Sequence, residues 1–376
     1  MSKDIDLSIF INDLNAPSEI FLRQLFQALG AAFNLELLVY NGGSKQNGAY
    51  SFSVKTLPKP ISFRYFFALP GLAIRYKTTN IKFLYRIYLL KQAVGSRIYF
   101  PFLFMMSEFD RAIPAFQQKE KRLFFSSIRG SDITVNPFVK PEALMRYSRI
   151  IPYLHKLHFL SEKLEQQFID LGLPPPPSQV IYQGVNFNKF LRDIPLPNDK
   201  LRMITVGRFE YIKGIEYLLL ACKKLKTKNI EFHCTIVGYG REKEKYLYMI
   251  HDLGLSDVVS IQEKTDHEAL AVLLSKHNLY VHPHLVTGLS NSMLEAFAAG
   301  LKTIAFYSDF GSYKIPEMQD YFSEVPRYDA EQLATTIAQF DINYSISLKQ
   351  RQCILEKFAL DFQIQAFKKF FELERV

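Results

Sequence analysis

The sequence predicts an α/β protein of two domains, each built on a parallel sheet with helices on both faces. Three observations lead there. The chain has 376 residues, which suits two domains of ordinary size. Its apolar fraction of 48% is enough for two cores. In both halves, short apolar, β-branched or aromatic runs alternate with helical stretches, the pattern of parallel strands joined by helical crossovers.

In the first half the strand runs are DLSIFI, LELLVY, RIYFPFL, RLFFSSI, KLHFLS and QVIY, with helical stretches at 18–30, 81–93 and 162–171 among them. In the second, RMITVG, EFHCTIVG, VVSIQ, NLYVHP and KTIAFY alternate with helices near 213–228, 241–253, 266–276 and 290–299. The proline-punctuated LRDIPLPNDK, residues 191–200, is the expected break, giving domains over 1–192 and 193–358. PPPP at 174–177 reads as a stiff surface loop inside the first domain. The tail, EKFALDFQIQAFKKFFELERV, has the pattern of an amphipathic helix, and residues 359–376 are expected to pack back toward the first domain.

Charge is unevenly placed. The net charge is +9, and residues 51–100 hold nine basic residues and no acidic one. The first domain therefore expects an anionic partner. Residues 81–93 can form a helix with Lys82 and Arg86 on one side, either as a segment lying in an anionic membrane surface or as a core helix with solvated charges. No nucleic-acid-binding module accompanies the basic stretch, so nucleic acid is not expected. Cys222, Cys234 and Cys353 are far apart and form no C-x-x-C, against a disulfide framework or structural zinc and in keeping with a reducing compartment. MSKDIDLSIF is acidic where a secretory leader is basic, and YFFALPGLAI and IYFPFLFMM are about half a bilayer span. A cytoplasmic protein, peripheral on the cytoplasmic membrane face, is expected.

Three strand ends in the second half carry polar chemistry. After VGR, Arg208 and Lys213 place a guanidinium fork and an ammonium at one strand–helix junction, either a diphosphate clamp or two solvated charges. In IVGYG, Gly238 and Gly240 allow a tight turn, with or without a ligand against the backbone. In HPHLVTGLSNSMLEAFAAG, Ser290 is a good N-cap, Gly300 a stop, and the helix start an anion site. Asn291 and Glu295 share a face of that helix. A carboxylate on so apolar a helix needs hydrogen bonds, which a ribose diol would supply; a solvated helix edge is the other reading.

These segments resemble the retaining, nucleotide-sugar-dependent glycosyltransferases of family 4. VGRFEYIKGIEYLLLA, IVGYGREKEKYLYMIHDLGLSDVVSIQ and HEALAVLLSKHNLYVHPHLVTGLSNSMLEAFAAGLKTIAF are similar to the family's donor-binding half. NAPSEIFLRQLFQAL, SSIRGSDI and HFLSEKLEQQFIDLGLPPPPSQVIYQGVNFNKF resemble its first half more loosely, and residues 41–120 match no part of it. The resemblance implies the GT-B fold, two Rossmann-like domains whose parallel sheets face across a cleft. Arg208 and Lys213 would hold the donor diphosphate and Glu295 the ribose. Thr287, Gly288, Leu289, Ser290, Asn291 and Ser292, with Gly238 and Gly240, would line the donor site. The donor would be a UDP- or GDP-sugar and the acceptor a saccharide or lipid-linked saccharide of cell-surface polysaccharide or lipopolysaccharide. No metal or other cofactor is expected.

Two positions depart from the family. Thr287 stands where a donor-loop glutamate is usual, removing a charge and shortening the reach. Arg129 stands for a loop histidine; it cannot act as a base but can bind a sugar hydroxyl or a phosphate. Attack on the donor's front face, with the leaving diphosphate taking the acceptor proton, needs no protein base. The alternative is a non-catalytic nucleotide-binding homologue serving as partner subunit of another glycosyltransferase.

Overall fold

The computed structural model describes residues 6–13, 20–40, 51–193, 197–285, 290–307 and 321–372. The chain divides into two units, Met1–Tyr182 with Gln363–Val376, and Gln183–Phe362.

Unit 1 holds strands β1 (Leu7–Ile11), β2 (Leu35–Val39), β3 (Ser53–Thr56), β4 (Arg97–Phe100), β5 (Leu123–Ile128), β6 (Leu154–Phe159) and β7 (Ser178–Val180). They pair in the order β3-β2-β1-β4-β5-β6-β7, every pair parallel. β1 and β2 are buried at every position, as strands covered on both faces must be. Buried with them, the Glu36 carboxylate accepts the Ser8 hydroxyl at 2.5 Å and the Val94 amide at 2.8 Å, while Ser8 Oγ accepts the Gly95 amide at 2.9 Å. A Cβ on Gly95 would stand 2.8 Å from Ser8 N, so glycine is what lets the loop before β4 come so close.

Helix α1 (Ile20–Ala32) follows β1; α2 (Phe63–Tyr76) and α3 (Ile81–Leu90) stand between β3 and β4. Ser62 caps α2 by accepting the Tyr65 amide, and Asn80 caps α3 by accepting that of Phe83. The tail also belongs to this unit. Phe367, Phe370 and Phe371 are fully buried. The Phe371 ring packs edge-on against Tyr99, Phe125 and Phe33, and its carbonyl accepts Arg97 Nε at 2.8 Å. Phe367 lies edge-on to His158 at 4.8 Å. His158 stays neutral, its pKa pushed down to about 3 by burial and then by Arg129. Its Nε2 faces the Ile181 carbonyl and must donate, so Nδ1 accepts from Ser127 Oγ at 2.7 Å.

Unit 2 holds β8 (Leu201–Arg208), β9 (Phe232–Tyr239), β10 (Val259–Glu263), β11 (Leu279–His282), β12 (Lys302–Tyr307) and β13 (Phe322–Pro326). Their order is β10-β9-β8-β11-β12-β13, again with every pair parallel. Helices Ile215–Thr227, Ala330–Ala338 and the buried strand faces share one core that includes Leu218, Cys222, Ile236, Val281 and Leu333.

The break between units falls before Gln183, not after residue 192. Backbone pairing is the reason: Val185 N donates to Phe358 O at 2.9 Å and Leu360 N to Val185 O at 3.2 Å. Phe187 and Phe190 are buried in the same segment, and Arg351 Nη2 holds the Arg192 carbonyl.

In both units the strand order reverses at a switch point, between β1 and β4 and between β8 and β11. Ligands of open parallel sheets bind outside the carboxyl ends at that point.

The tail is expected to act as a cover for the unit 1 sheet. Phe371→Ala should cost about 3–5 kcal/mol through the cavity it leaves. Native-state hydrogen exchange of the β4 and β5 amides is the check, because it reads unit 1 apart from unit 2. Unchanged protection there would refute the covering role.

Candidate active site

The carboxyl ends of β8 and β11 bring several of the expected residues together. Arg208 closes β8, its Nη1 3.0 Å from Glu210 Oε1. A single 3-10 turn, Tyr211–Lys213, follows, and Gly214 at φ 60 turns the chain into helix Ile215–Thr227. A Cβ at Gly214 would overlap the Pro283 carbonyl oxygen, so glycine is required where this turn crosses the segment after β11. Leu285 N donates to Ile212 O at 2.9 Å and ties the crossing.

That crossing sets Lys213 against the end of β11. Its Nζ lies 3.4 Å from His284 Nδ1. Burial, with the nearby Arg208 charge second and Glu210 opposing, holds the Lys213 pKa down to about 8. Among the described residues its hydrogen-bond partner is His284, and a phosphate oxygen would add a charged one.

Two histidines that the sequence reading passed over flank it. His282 ends β11 and His284 follows two residues later; both are buried, with ring centroids 3.6 Å apart. Burial pushes both toward the neutral form, His282 to about 3, and the Lys213 charge adds to the effect. Neutral His284 accepts from Lys213 at Nδ1, which puts its proton on Nε2. Among the described residues, His282 Nδ1 has no hydrogen-bond partner.

The helix after β11, Asn291–Ala298, is capped as expected: Ser290 Oγ accepts Met293 N at 3.2 Å. Tyr280 donates to Ser292 Oγ at 2.9 Å, fixing the first turn to β11. Asn291 is half-buried at that turn. At the far end, buried Arg351 donates from Nη1 to the Ala298 carbonyl at 2.5 Å, a cation on the negative end of the helix. Glu295 is only 5% exposed, and burial raises its pKa to about 7. His267 Nε2 is 3.7 Å from Glu295 Oε1, and partial burial pulls that imidazole toward neutrality, so the contact is no ion pair at neutral pH.

The remaining candidates divide. Thr287, Gly288 and Leu289 lie outside the described residues. A Cβ on Gly238 would overlap the Gly207 carbonyl, and one on Gly240 would stand 2.5 Å from the Phe209 carbonyl. The close approach these glycines allow is thus between the ends of β8 and β9. Arg129 belongs to unit 1. It follows β5, donates from Nε to the Pro101 carbonyl at 3.1 Å, and gives its amide to Asp132 Oδ2 at 3.0 Å. Asp132 also takes the Phe104 amide at 2.9 Å, so this loop latches the ends of β4 and β5. Lys82 is exposed on α3, whereas Arg86 pairs with Glu108 at 2.5 Å and lies over the Phe109 ring. Among the described residues, no three His, Cys, Asp or Glu side chains are grouped as metal ligands would be.

Comparison with known proteins places this geometry. Residues 186–352 match the family described as Glycosyl transferases group 1. WcaL of Salmonella typhimurium, named for colanic acid biosynthesis, is 28% identical over 215 residues, covering 53% of this chain and 51% of that protein. The chain spans about half the length of the curated relatives it matches. Sucrose-phosphate synthase of Thermosynechococcus elongatus superposes with a TM-score of 0.74 at 18% identity, over 98% of each chain. HepE of Anabaena, solved in complex with UDP, gives 0.71 at 13% identity over 97% of this chain and 99% of that one. These two structures have the GT-B fold expected from the sequence, and this chain shares it.

The buried carboxyl predicts a pH signature. The folded Glu295 pKa of about 7 exceeds the ordinary 4.5, so the folded protein keeps a proton that the unfolded chain has lost. Stability from this group is whole below about pH 4.5 and is lost as pH rises through 7. Unligated Glu295→Gln should match the wild type at pH 5 and exceed it at pH 8, by on the order of 2–3 kcal/mol. Thermal unfolding of both proteins at the two pH values is the measurement. Equal differences at both would place the carboxylate in water.

Proposed function

Residues 186–352 match the glycosyl transferases group 1 family, and from that premise we propose that the chain is a retaining glycosyltransferase using a nucleotide-sugar donor. The acceptor in this reading is a saccharide or lipid-linked saccharide of a cell-surface polysaccharide, assembled at the anionic cytoplasmic face of a membrane. The observation that carries the donor assignment is the pair Arg208 and Lys213 at the β8/β11 switch point, with Glu295 buried in the helix that follows β11. The UDP in HepE and the colanic acid role in the name of WcaL support a uridine nucleotide and a polysaccharide product.

The chemistry follows from what these groups can do. The bond from the sugar's anomeric carbon to the diphosphate oxygen breaks, and the acceptor oxygen bonds to that carbon on the same face. The acceptor proton passes to the departing phosphate. Negative charge grows on the leaving group, and Arg208 and Lys213 meet it with two cations set before the reaction begins. Their charge does the work a metal would do, so the reaction as proposed uses none. Glu295, once ionised, accepts the two ribose hydroxyls and so recovers the hydrogen bonds its burial denies it. His284 keeps the Lys213 ammonium aimed without adding a competing charge.

UDP should raise the melting temperature of the wild type. Its affinity should fall as pH rises through about 8, where Lys213 of the free protein loses its proton. Lys213→Ala should lower turnover by roughly 100-fold or more with the fold intact. Full activity in both Lys213→Ala and Glu295→Ala would overturn the donor assignment. Nucleotide binding with neither transfer nor donor hydrolysis, across a broad donor and acceptor screen, would instead make the chain a partner subunit.

A further inference from the structure

Helix α2 bears a surface that sugar transfer does not call for. Its inner face, with Tyr65, Leu69, Leu72 and Tyr76, packs on the core of unit 1. Its outer face is apolar as well. Phe63, Phe66, Phe67, Pro70, Gly71 and Ile74 recur at i, i+3, i+4, i+7, i+8 and i+11, a single stripe along the helix. Phe63, Phe66, Phe67 and Ile74 are 76%, 70%, 66% and 80% exposed; Ile61, just before the helix, is 91% exposed and Ile81, opening α3, 61%. Monomeric proteins rarely leave such a contiguous patch bare.

Charge around the stripe indicates what covers it. Lys59, Arg64, Lys77 and Lys82 are exposed, and none enters an ion pair among the described residues. Arg75 and Arg86 are different, since Glu120 and Glu108 hold them. Residues 51–100 contain no carboxylate at all. A second copy of this face would bring the same cations against one another. An anionic bilayer satisfies both features: phenyl rings enter the acyl boundary while lysines and arginine meet lipid phosphates. At 14 residues the helix is about 21 Å long, too short to cross and long enough to lie in the surface.

We propose that α2 docks unit 1 on an anionic lipid bilayer, with Phe63, Phe66, Phe67 and Ile74 inserted and Lys59, Arg64, Lys77 and Lys82 on the headgroups. The proposal rests on the peripheral-membrane reading above and assigns it a surface. The sequence offers a clean probe, because the chain has no tryptophan. Phe67→Trp and, separately, Ile74→Trp each supply a single emitter on the stripe. Both should shift to the blue on vesicles of phosphatidylcholine with phosphatidylglycerol, much less on phosphatidylcholine alone, and the shift should weaken with added salt. Phe66→Ser combined with Phe67→Ser should weaken co-sedimentation with the anionic vesicles at least tenfold while keeping the UDP-induced melting shift. Vesicle binding with no shift from either tryptophan, undiminished by the serine pair, overturns this surface and leaves the peripheral reading standing. Absence of binding to both vesicle types overturns the two together, without touching the donor assignment, which UDP reports separately. A dimer in light scattering that the serine pair dissolves, with no lipid binding, also overturns it and gives the face to a second copy.

Discussion

Where the turn after β8 meets the segment after β11, Gly214 lies against the Pro283 carbonyl with no room for a side chain. The polar groups at the ends of β8 and β11 are arranged about that crossing. It brings Lys213 to His284, it is tied by the Leu285–Ile212 hydrogen bond, and it keeps Arg208 at the rim of the same strand ends. The glycines at 238 and 240 extend the principle sideways, letting β8 and β9 come together at their carboxyl ends.

Burial governs the titration of the groups at this end of unit 2. Lys213 and Glu295 are both pushed toward their uncharged forms by burial, in opposite directions on the pH scale. The two imidazoles beside Lys213 are neutral and contribute shape and an acceptor without charge. In the proposed donor site, a bound diphosphate would draw Lys213 toward its protonated form, and a diol at Glu295 would draw that carboxyl toward its ionised form. Donor binding would then move protons in both senses, which would keep its net proton exchange small even though two groups change state.

Much of this was legible in the residues because its causes are local. Strand runs such as LSIFI and FHCTIVGY are mostly apolar, β-branched or aromatic, and Ser290 and Gly300 frame their helix by cap chemistry. The break between units was misplaced because its cause is not local: Val185 pairs with Phe358 and Leu360, far along the chain. Helix α2 escaped notice since apolar residues on both its faces erase the period that marks an amphipathic helix, and Pro70-Gly71 suggests a turn. His282 and His284 were visible as VHPH, but what matters about them, burial beside a lysine, exists only once β8 and β11 are neighbours.

The split of unit 1 across the chain also shapes how the protein is made. Gln183–Phe362 is continuous and can fold as soon as it leaves the ribosome. The earlier unit cannot finish. Tyr99, Phe125 and His158 stay bare until Phe367, Phe370 and Phe371 emerge, after the whole of unit 2. Synthesis order and folding order are therefore inverted: unit 1 waits for a helix made after all of unit 2, holding an aromatic face open in the meantime. Deleting the helix Leu360–Phe371 therefore damages the unit that was made first.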